Sequence, residues 1–318
     1  MTHSPDTLAV RLVRVTYLTE HVSLFEFASL DGAPLPTAAA GAHIALQLPN
    51  LGERAYSLVT DSRHPERYAI AVKREPAGRG GSRHMHDMLR VGQVITVTPP
   101  RNLFKLNEQA EETLLFAGGI GVTPILSMAR RLQALNRPFR FFYSSRSRIH
   151  APFLEEIACF PDSHCRFGDE HGRDPSFGQI LAGTSRNAHL YCCGPVPMMD
   201  DFLTAARAAG FAEEHIHVEY FAAKETPALT GGFVVKLARS NRSLTVKPGQ
   251  SILSALRAAG VAMTTSCEQG ICGACEVRVL SGLPDHRDSV LTDEEKLANQ
   301  TMMVCCSGAL SGELVLDL

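Results

Sequence analysis

Cys267, Cys272 and Cys275 read C-x4-C-x2-C, with Cys305 and Cys306 following at a distance. Thiolates in that spacing are the ligands of a plant-type 2Fe-2S cluster. Three of them can come from one loop only if the backbone bends tightly, which Gly270 and Gly273 allow. Zinc is the other reading of clustered thiols, but zinc ribbons favour two pairs of closely spaced cysteines, and here the arrangement is three plus one. On spacing alone, either Cys305 or Cys306 supplies the fourth ligand.

Two further strings have types and contexts suited to nucleotide chemistry. Gly118-Gly119-Ile120-Gly121-Val122-Thr123-Pro124 follows a short apolar run, 113–117, and opens a helical pattern. A glycine turn between a buried strand and a helix start is where a dinucleotide pyrophosphate sits. The string reads G-x-G-x-x-P, departing from the usual G-x-G-x-x-G at its last position. Past the next strand, Ser144-Ser145-Arg146-Ser147-Arg148 stands where an acidic residue would read a ribose hydroxyl. An arginine there accepts a 2'-phosphate, so on this physics alone the site leans to NADPH.

Nearer the N-terminus, Arg54-Ala55-Tyr56-Ser57 offers a planar fork for a phosphate, a flat face for an isoalloxazine and a small hydroxyl for the flavin N5 edge. The same residues would also fit an ordinary barrel strand with a surface charge, a packed aromatic and a turn serine. Gly78-Arg79-Gly80-Gly81-Ser82 follows a strand ending in Val72-Lys73 and precedes a helix expected at 84–89. Its amides and serine form an anion site at a helix start, although a flexible glycine turn reads the same way.

Three kinds of element must position these strings. From 8 to 100, apolar and polar residues alternate in short runs such as Ser23-Leu24-Phe25-Glu26-Phe27 and Tyr68-Ala69-Ile70-Ala71-Val72-Lys73. That period of two reads as antiparallel strands closed into a small barrel. Beyond Pro99-Pro100 the buried runs 113–117, 139–143 and 189–193 alternate with helical stretches at 124–135 and 198–209, the second stopped by Gly210. Strand and helix in alternation mean a parallel sheet with crossover helices. A polar stretch, 223–232, reads as a linker. After it come a hairpin around Ser240-Asn241, a helix at 252–259 ended by Gly260 and a strand at 276–280, a mixed α+β unit. The boundaries expected are 1–105 for a flavin barrel, 106–222 for a nucleotide domain and 233–318 for an iron-sulfur domain.

A chain of 318 residues exceeds what one core usually supports. A formal net charge of -2 gives no bulk attraction to nucleic acid. No apolar run approaches the roughly 18 to 20 residues of a membrane span, and the first residues lack the pattern of a secretory leader. A cytoplasmic protein without a membrane partner is expected. Nine cysteines in such a protein are reduced, buried or metal-bound rather than a disulfide framework.

Together these strings resemble the phthalate dioxygenase reductase branch of the ferredoxin-NADP reductase superfamily, over nearly the whole chain. Arg54, Tyr56 and Ser57 resemble its flavin strand, and the glycine-rich loop resembles its FMN form. Gly118 to Pro124 carry its G-G-I-G-x-T-P signature, and Tyr191-Cys192-Cys193-Gly194-Pro195 with Met198 resembles its second nicotinamide motif. The resemblance implies FMN, with FAD as the alternative, held by Arg54, Ala55, Tyr56, Ser57, Val72, Lys73, Gly80, Gly81 and Ser82. It implies NADH rather than NADPH, held by Gly118, Gly119, Gly121, Thr123, Ser145, Arg146, Cys193, Gly194, Pro195 and Met198.

By the same resemblance Ser57 lies at the flavin N5, Cys193 lies near the reacting nicotinamide carbon, and Phe221 is the aromatic over the flavin face. Met303-Val304-Cys305-Cys306-Ser307 resembles the family's ending, in which the first cysteine, here Cys305, is the ligand. Cys192 receives no role. The order of barrel, nucleotide domain and C-terminal β-grasp ferredoxin domain is that of this branch. The implied activity passes hydride from NADH to FMN, then single electrons through the cluster to a separate Rieske-type oxygenase or demethylase. An FAD-containing NAD(P)H reductase serving another acceptor is the alternative, and a monomer is expected.

Overall fold

The computed structural model describes residues 7–60, 66–171, 176–223 and 225–318. The chain divides into two compact units, Met1–Glu219 and Tyr220–Leu318.

The first unit opens with strands β1 (Leu8–Thr19), β2 (Val22–Ser29), β3 (His43–Leu48), β4 (Gly52–Ser57) and β5 (Tyr68–Lys73), helix α1 (Gly81–Asp87) and strand β6 (Val94–Val97). They form one antiparallel sheet in the order β4-β3-β6-β1-β2-β5. Its ends approach each other where Leu58, just past β4, bridges Ile70 of β5. The alternation that predicts strands also fills the interior, since Val10, Leu12, Phe25, Phe27, Ile44, Leu46 and Ile70 pack into one core. Register shifts in β1 after Leu12 and after Tyr17 curl that long strand.

The same unit continues with β7 (Thr113–Gly118), α2 (Val122–Ala134), β8 (Phe139–Ser145), α3 (Leu154–Ile157), β9 (Ser163–Phe167), α4 (Gly168–His171), α5 (Phe177–Leu181), β10 (His189–Cys193), α6 (Val196–Ala208) and β11 (Ile216–Glu219). The five strands are parallel in the order β11-β10-β7-β8-β9. The sheet is covered on both faces. Leu115, Phe141 and Tyr191 share a core with α2 residues Ile125 and Leu126, while Phe116 meets Phe142, Phe177 and Phe202 on the opposite side.

The second unit holds β12 (Phe233–Leu237), β13 (Arg242–Val246), α7 (Ile252–Ala258), β14 (Glu276–Ser281), β15 (Pro284–Asp285), α8 (Asp293–Ala298), β16 (Thr301–Met303), β17 (Gly308–Ala309) and β18 (Glu313–Leu316). Its main sheet runs β13-β12-β18-β14-β16, with the β12–β18 pair parallel. Ile252, Leu253 and Leu256 of α7 fill the core against Val235, Val277 and Leu314. This is the mixed sheet and packed helix of a β-grasp ferredoxin fold.

Several boundaries move from the sequence expectation. Helix α1 begins at Gly81 rather than His84, because Gly80 at φ 89 supplies the left-handed entry. Helix α2 begins two residues before Pro124, which leaves the proline in the first turn where its missing N–H costs nothing. Residues 220–222, grouped from sequence with the nucleotide region, fall in the second unit. Lys224, in the expected linker, lies outside the described residues. Strands β9 and β11 were not singled out by periodicity, since both are short and only partly buried.

Candidate functional site

The carboxyl edge of the parallel sheet gathers the nucleotide strings. Strand β7 ends at Gly118, a single 3-10 turn spans Gly119–Gly121, and α2 starts at Val122. This turn is pressed against the end of β10. A Cβ on Gly118 would lie 2.5 Å from Met198 Sδ and 2.8 Å from Pro195 Cδ. One on Gly121 would lie 2.6 Å from the Cys193 carbonyl carbon. The two motifs, distant in sequence, are thus one close-packed corner, and glycine is required there by proximity. Gly119 differs, with φ 53 and no atom within 4 Å of a built Cβ. Thr123, fully buried, donates to the Ile120 carbonyl at 3.1 Å and braces the turn. A Cβ on Gly194 would likewise lie 2.7 Å from Met198 Sδ. Ser145 ends β8, and Arg146 follows it with its side chain exposed.

A second convergence joins the barrel to this sheet. Ser57, buried at the end of β4, donates its hydroxyl to Glu219 Oε2 at 3.3 Å. Glu219 ends β11 and lies in register beside Cys193 of β10. Burial pushes the Glu219 carboxyl up to about 8, partly offset by the Ser57 hydrogen bond. Burial also pushes the Cys193 thiol well up, and the neighbouring Glu219 adds to it, so Cys193 is a neutral thiol. Glu219 received no role from the sequence. The signal was present as an acidic residue closing the strand Ile216-His217-Val218-Glu219 just before the chain leaves the sheet.

The flavin strings also meet. A Cβ on Gly81 would lie 2.7 Å from Arg54 Cγ, so the Arg54 stem lies across the first residue of α1. Its Nη2 donates to the Arg79 carbonyl at 3.4 Å. Tyr56, half-buried, has its hydroxyl pushed up to about 12 by burial and so is a neutral donor. Ser82 Oγ accepts from the Glu75 amide at 3.0 Å, closing the loop before α1. Ala55 is half-buried in β4. Val72 is buried and its carbonyl meets His86 Nε2 at 2.8 Å, while Lys73 points outward to Glu75 at 3.4 Å. Phe221, 39% exposed, belongs to the second unit.

In the second unit, Cys267, Cys272, Cys275 and Cys305 are all buried and unoxidised. Their thiols associate two and two. Cys267 shares a hydrogen bond with Cys272, and Cys275 shares one with Cys305. This lowers Cys272, helped by the Cys267 and Ala274 amides, and lowers Cys305, helped by the Cys306 thiol. Cys267 and Cys275 are raised in turn by those same partners. The loop bends through positive φ at Glu268, Gly270 and Gly273, which turns the Gln269 amide onto Cys267 Sγ at 3.3 Å.

Two thiol pairs with amides aimed at sulfur suit a 2Fe-2S cluster, in which each iron takes two cysteines. Cys267 and Cys272 would hold one iron, Cys275 and Cys305 the other. Cys306 Sγ, which also shares a hydrogen bond with Cys305, packs against Gly270, where Asp288 Cα would lie 3.0 Å from an added Cβ. Asp288 accepts from the Val290 and Leu291 amides at 3.1 and 2.8 Å, bracing the segment beneath the loop.

Comparison with known proteins agrees with this layout. A family model described as the 2Fe-2S iron-sulfur cluster binding domain matches residues 235–310. Phenoxybenzoate dioxygenase subunit beta of Ectopseudomonas oleovorans is 47% identical over 98% of this chain and 97% of its own. Vanillate O-demethylase oxidoreductase of a Pseudomonas species is 43% identical over 98% of each. Among solved structures, phthalate dioxygenase reductase, described as modular for electron transfer from pyridine nucleotides to [2Fe-2S], superposes with a TM-score of 0.76. It is 38% identical, with 98% of both chains covered. Identity at this level along the full length, with the same succession of sheets, makes the chain a member of the phthalate dioxygenase reductase family of electron-transfer oxidoreductases.

Proposed function

We propose that this protein is the reductase component of a two-component Rieske-type oxygenase or demethylase, taking hydride from NADH through FMN and delivering single electrons through its cluster. The observation that carries this reading is the meeting of Ser57, Cys193 and Glu219. There the end of the flavin strand and the carboxyl edge of the nucleotide sheet share one hydrogen-bonded corner, where a hydride donor and its acceptor ring can be held face to face.

Bound flavin and cluster supply the two-electron to one-electron conversion, and the protein supplies orientation and electrostatics. Arg54, lying over Gly81 with the amides of 80–82 beside it, is placed to hold the terminal phosphate of FMN. Tyr56 offers its ring and a protonated hydroxyl. Ser57 would present its hydroxyl at the flavin N5 edge, where its single proton would turn from Glu219 to the flavin, and the buried Glu219 carboxyl, raised to about 8, stays within hydrogen-bond reach of that serine. Cys193, a neutral buried thiol, shapes the nicotinamide subsite without placing a charge in it. Gly118, Gly119, Gly121 and Thr123 form the pyrophosphate turn, flanked by Gly194, Pro195 and Met198. Ser145 and Arg146 would meet the adenosine end.

The reading is tested by anaerobic titration of the purified holoprotein with NADH, following flavin and cluster absorbance together. Bleaching of both supports it, whereas loss of the flavin bands with the cluster still oxidised removes the relay. The flavin released on denaturation, FMN or FAD by mass, checks the flavin assignment separately.

A further inference from the structure

The corner beyond β8 and β9 contains a charge pair that the proposed chemistry leaves unused. Strands β8 and β9 run parallel, and their carboxyl ends are linked where the Asp169 amide donates to the Arg146 carbonyl at 3.1 Å. In an open parallel sheet, ligands bind outside the carboxyl ends of the strands, and the segment after the second strand reads the adenosine ribose. Two arginines stand there, Arg146 and Arg148, and they are in different states.

Arg146 is exposed and has no ion-pair partner among the described residues. Arg148 is held on two sides. Its guanidinium lies 4.3 Å from the centre of the Phe167 ring. It also donates from Nε and Nη2 to the two carboxylate oxygens of Glu170, at 2.8 and 2.7 Å. This fork-to-fork geometry uses the same pair of N–H groups with which an arginine would grasp a phosphate. Stacking on Phe167 fixes the plane of the guanidinium and favours the arrangement already made.

We propose that the Arg148–Glu170 pair makes this chain select NADH over NADPH. Glu170 takes the phosphate-gripping face of Arg148 and sets a negative charge beside the ribose, so a 2'-phosphate finds one available arginine and one repelling carboxylate. A ribose hydroxyl meets neither penalty. The apparent conflict between an arginine-rich loop and use of NADH disappears, because only one of the two arginines is available. The proposal rests on the nucleotide-site reading given above, and it assigns the discrimination to two residues that touch no reacting atom.

The test compares wild type, Glu170→Gln and the double variant Arg148→Gln/Glu170→Gln as holoproteins. Affinities for adenosine 2',5'-bisphosphate and for 5'-AMP are measured by calorimetry, alongside the ratio of kcat/KM for NADPH to that for NADH. Removing one unit charge within contact range of a phosphate at a protein surface is worth about tenfold. Glu170→Gln should therefore raise bisphosphate affinity and the NADPH-to-NADH ratio by about that factor, with a smaller gain at high salt. The double variant should lose the gain, because Arg148 is what the substitution releases.

An unchanged bisphosphate affinity in Glu170→Gln, with 5'-AMP still binding, overturns the role of the pair while leaving the nucleotide site standing. A gain that persists in the double variant overturns it too, since Arg148 would then not be the group released. If 5'-AMP binds none of the three proteins, the nucleotide-site reading itself fails and the proposal falls with it.

Discussion

Replacing Gly121 by alanine adds one methyl group at a position whose backbone, φ -60 and ψ -6, suits alanine well. The only penalty is contact. That methyl would sit 2.6 Å from the Cys193 carbonyl carbon and 2.9 Å from the Gly194 amide nitrogen, both backbone atoms. They cannot rotate away, because Cys193 is paired on both sides, to Ala117 and to Glu219. The turn must lift from β10, at the upper end of the 1–3 kcal/mol typical of overpacking, or about 3 kcal/mol. At Gly118 the methyl meets Met198 Sδ at 2.5 Å, the far end of a flexible side chain, and Pro195 Cδ at 2.8 Å, part of a rigid ring, so the cost should be about 2 kcal/mol. Met198→Ala should relieve part of it. At Gly119 nothing is within 4 Å and only the left-handed φ of 53 opposes alanine, for about 1–2 kcal/mol.

Thermal melting and the Kd for 5'-AMP provide the assay. Gly121→Ala should lower the melting temperature of the first unit by about 6–12 °C and weaken 5'-AMP by up to about 150-fold. Gly118→Ala should lose less in both, and Gly119→Ala should be relieved by no second substitution. A Gly121→Ala protein that melts with the parent and binds 5'-AMP equally well, while Gly119→Ala is the worst of the three, would refute the argument from close approach.

Three other outcomes are expected. Glu219 has a folded pKa of about 8 against an ordinary 4.5, so the folded chain holds a proton between those values that the unfolded chain releases. Its contribution to stability is full below 4.5 and lost as pH rises toward 8; Glu219→Gln should flatten this slope in denaturant titrations from pH 5 to 9, and an unchanged slope would contradict it. His43, buried near Arg101, is lowered to about 4 from 6.5, mainly by burial. The unfolded chain therefore binds the extra proton, and stability should fall by up to about 3 kcal/mol as pH drops from 6.5 to 4, a loss that His43→Gln should reduce in acid melts. At the cluster, Cys305→Ala should lose most iron and sulfide by chemical analysis while Cys306→Ser keeps them. Retention of a full complement in Cys305→Ala would transfer the fourth ligand to Cys306.

The chemistry was legible because it sits in short strings. C-x4-C-x2-C carries its own geometry, since the glycines that bend the loop lie between the ligands and need no distant partner. Likewise, the period-two runs before Pro99 and the alternation of apolar runs and helices after it determined which sheets would form. One face of each strand had to be buried, and connection length separates antiparallel from parallel pairing. Tertiary structure alone decided the rest. Glu219 is an unremarked acid in sequence, and only the seating of β11 beside β10 brings it to Cys193 and to Ser57, 162 positions earlier. The fit of Gly118 and Gly121 against Cys193 and Met198 is likewise a fact about two chain segments at once. Arg148 follows β8 in sequence, yet the carboxylate that takes its two N–H groups comes from α4, past the end of the neighbouring strand. Local sequence sets the chemical type of a side chain and the path of its own backbone. Its charge state and its available hydrogen bonds depend on neighbours that only packing supplies.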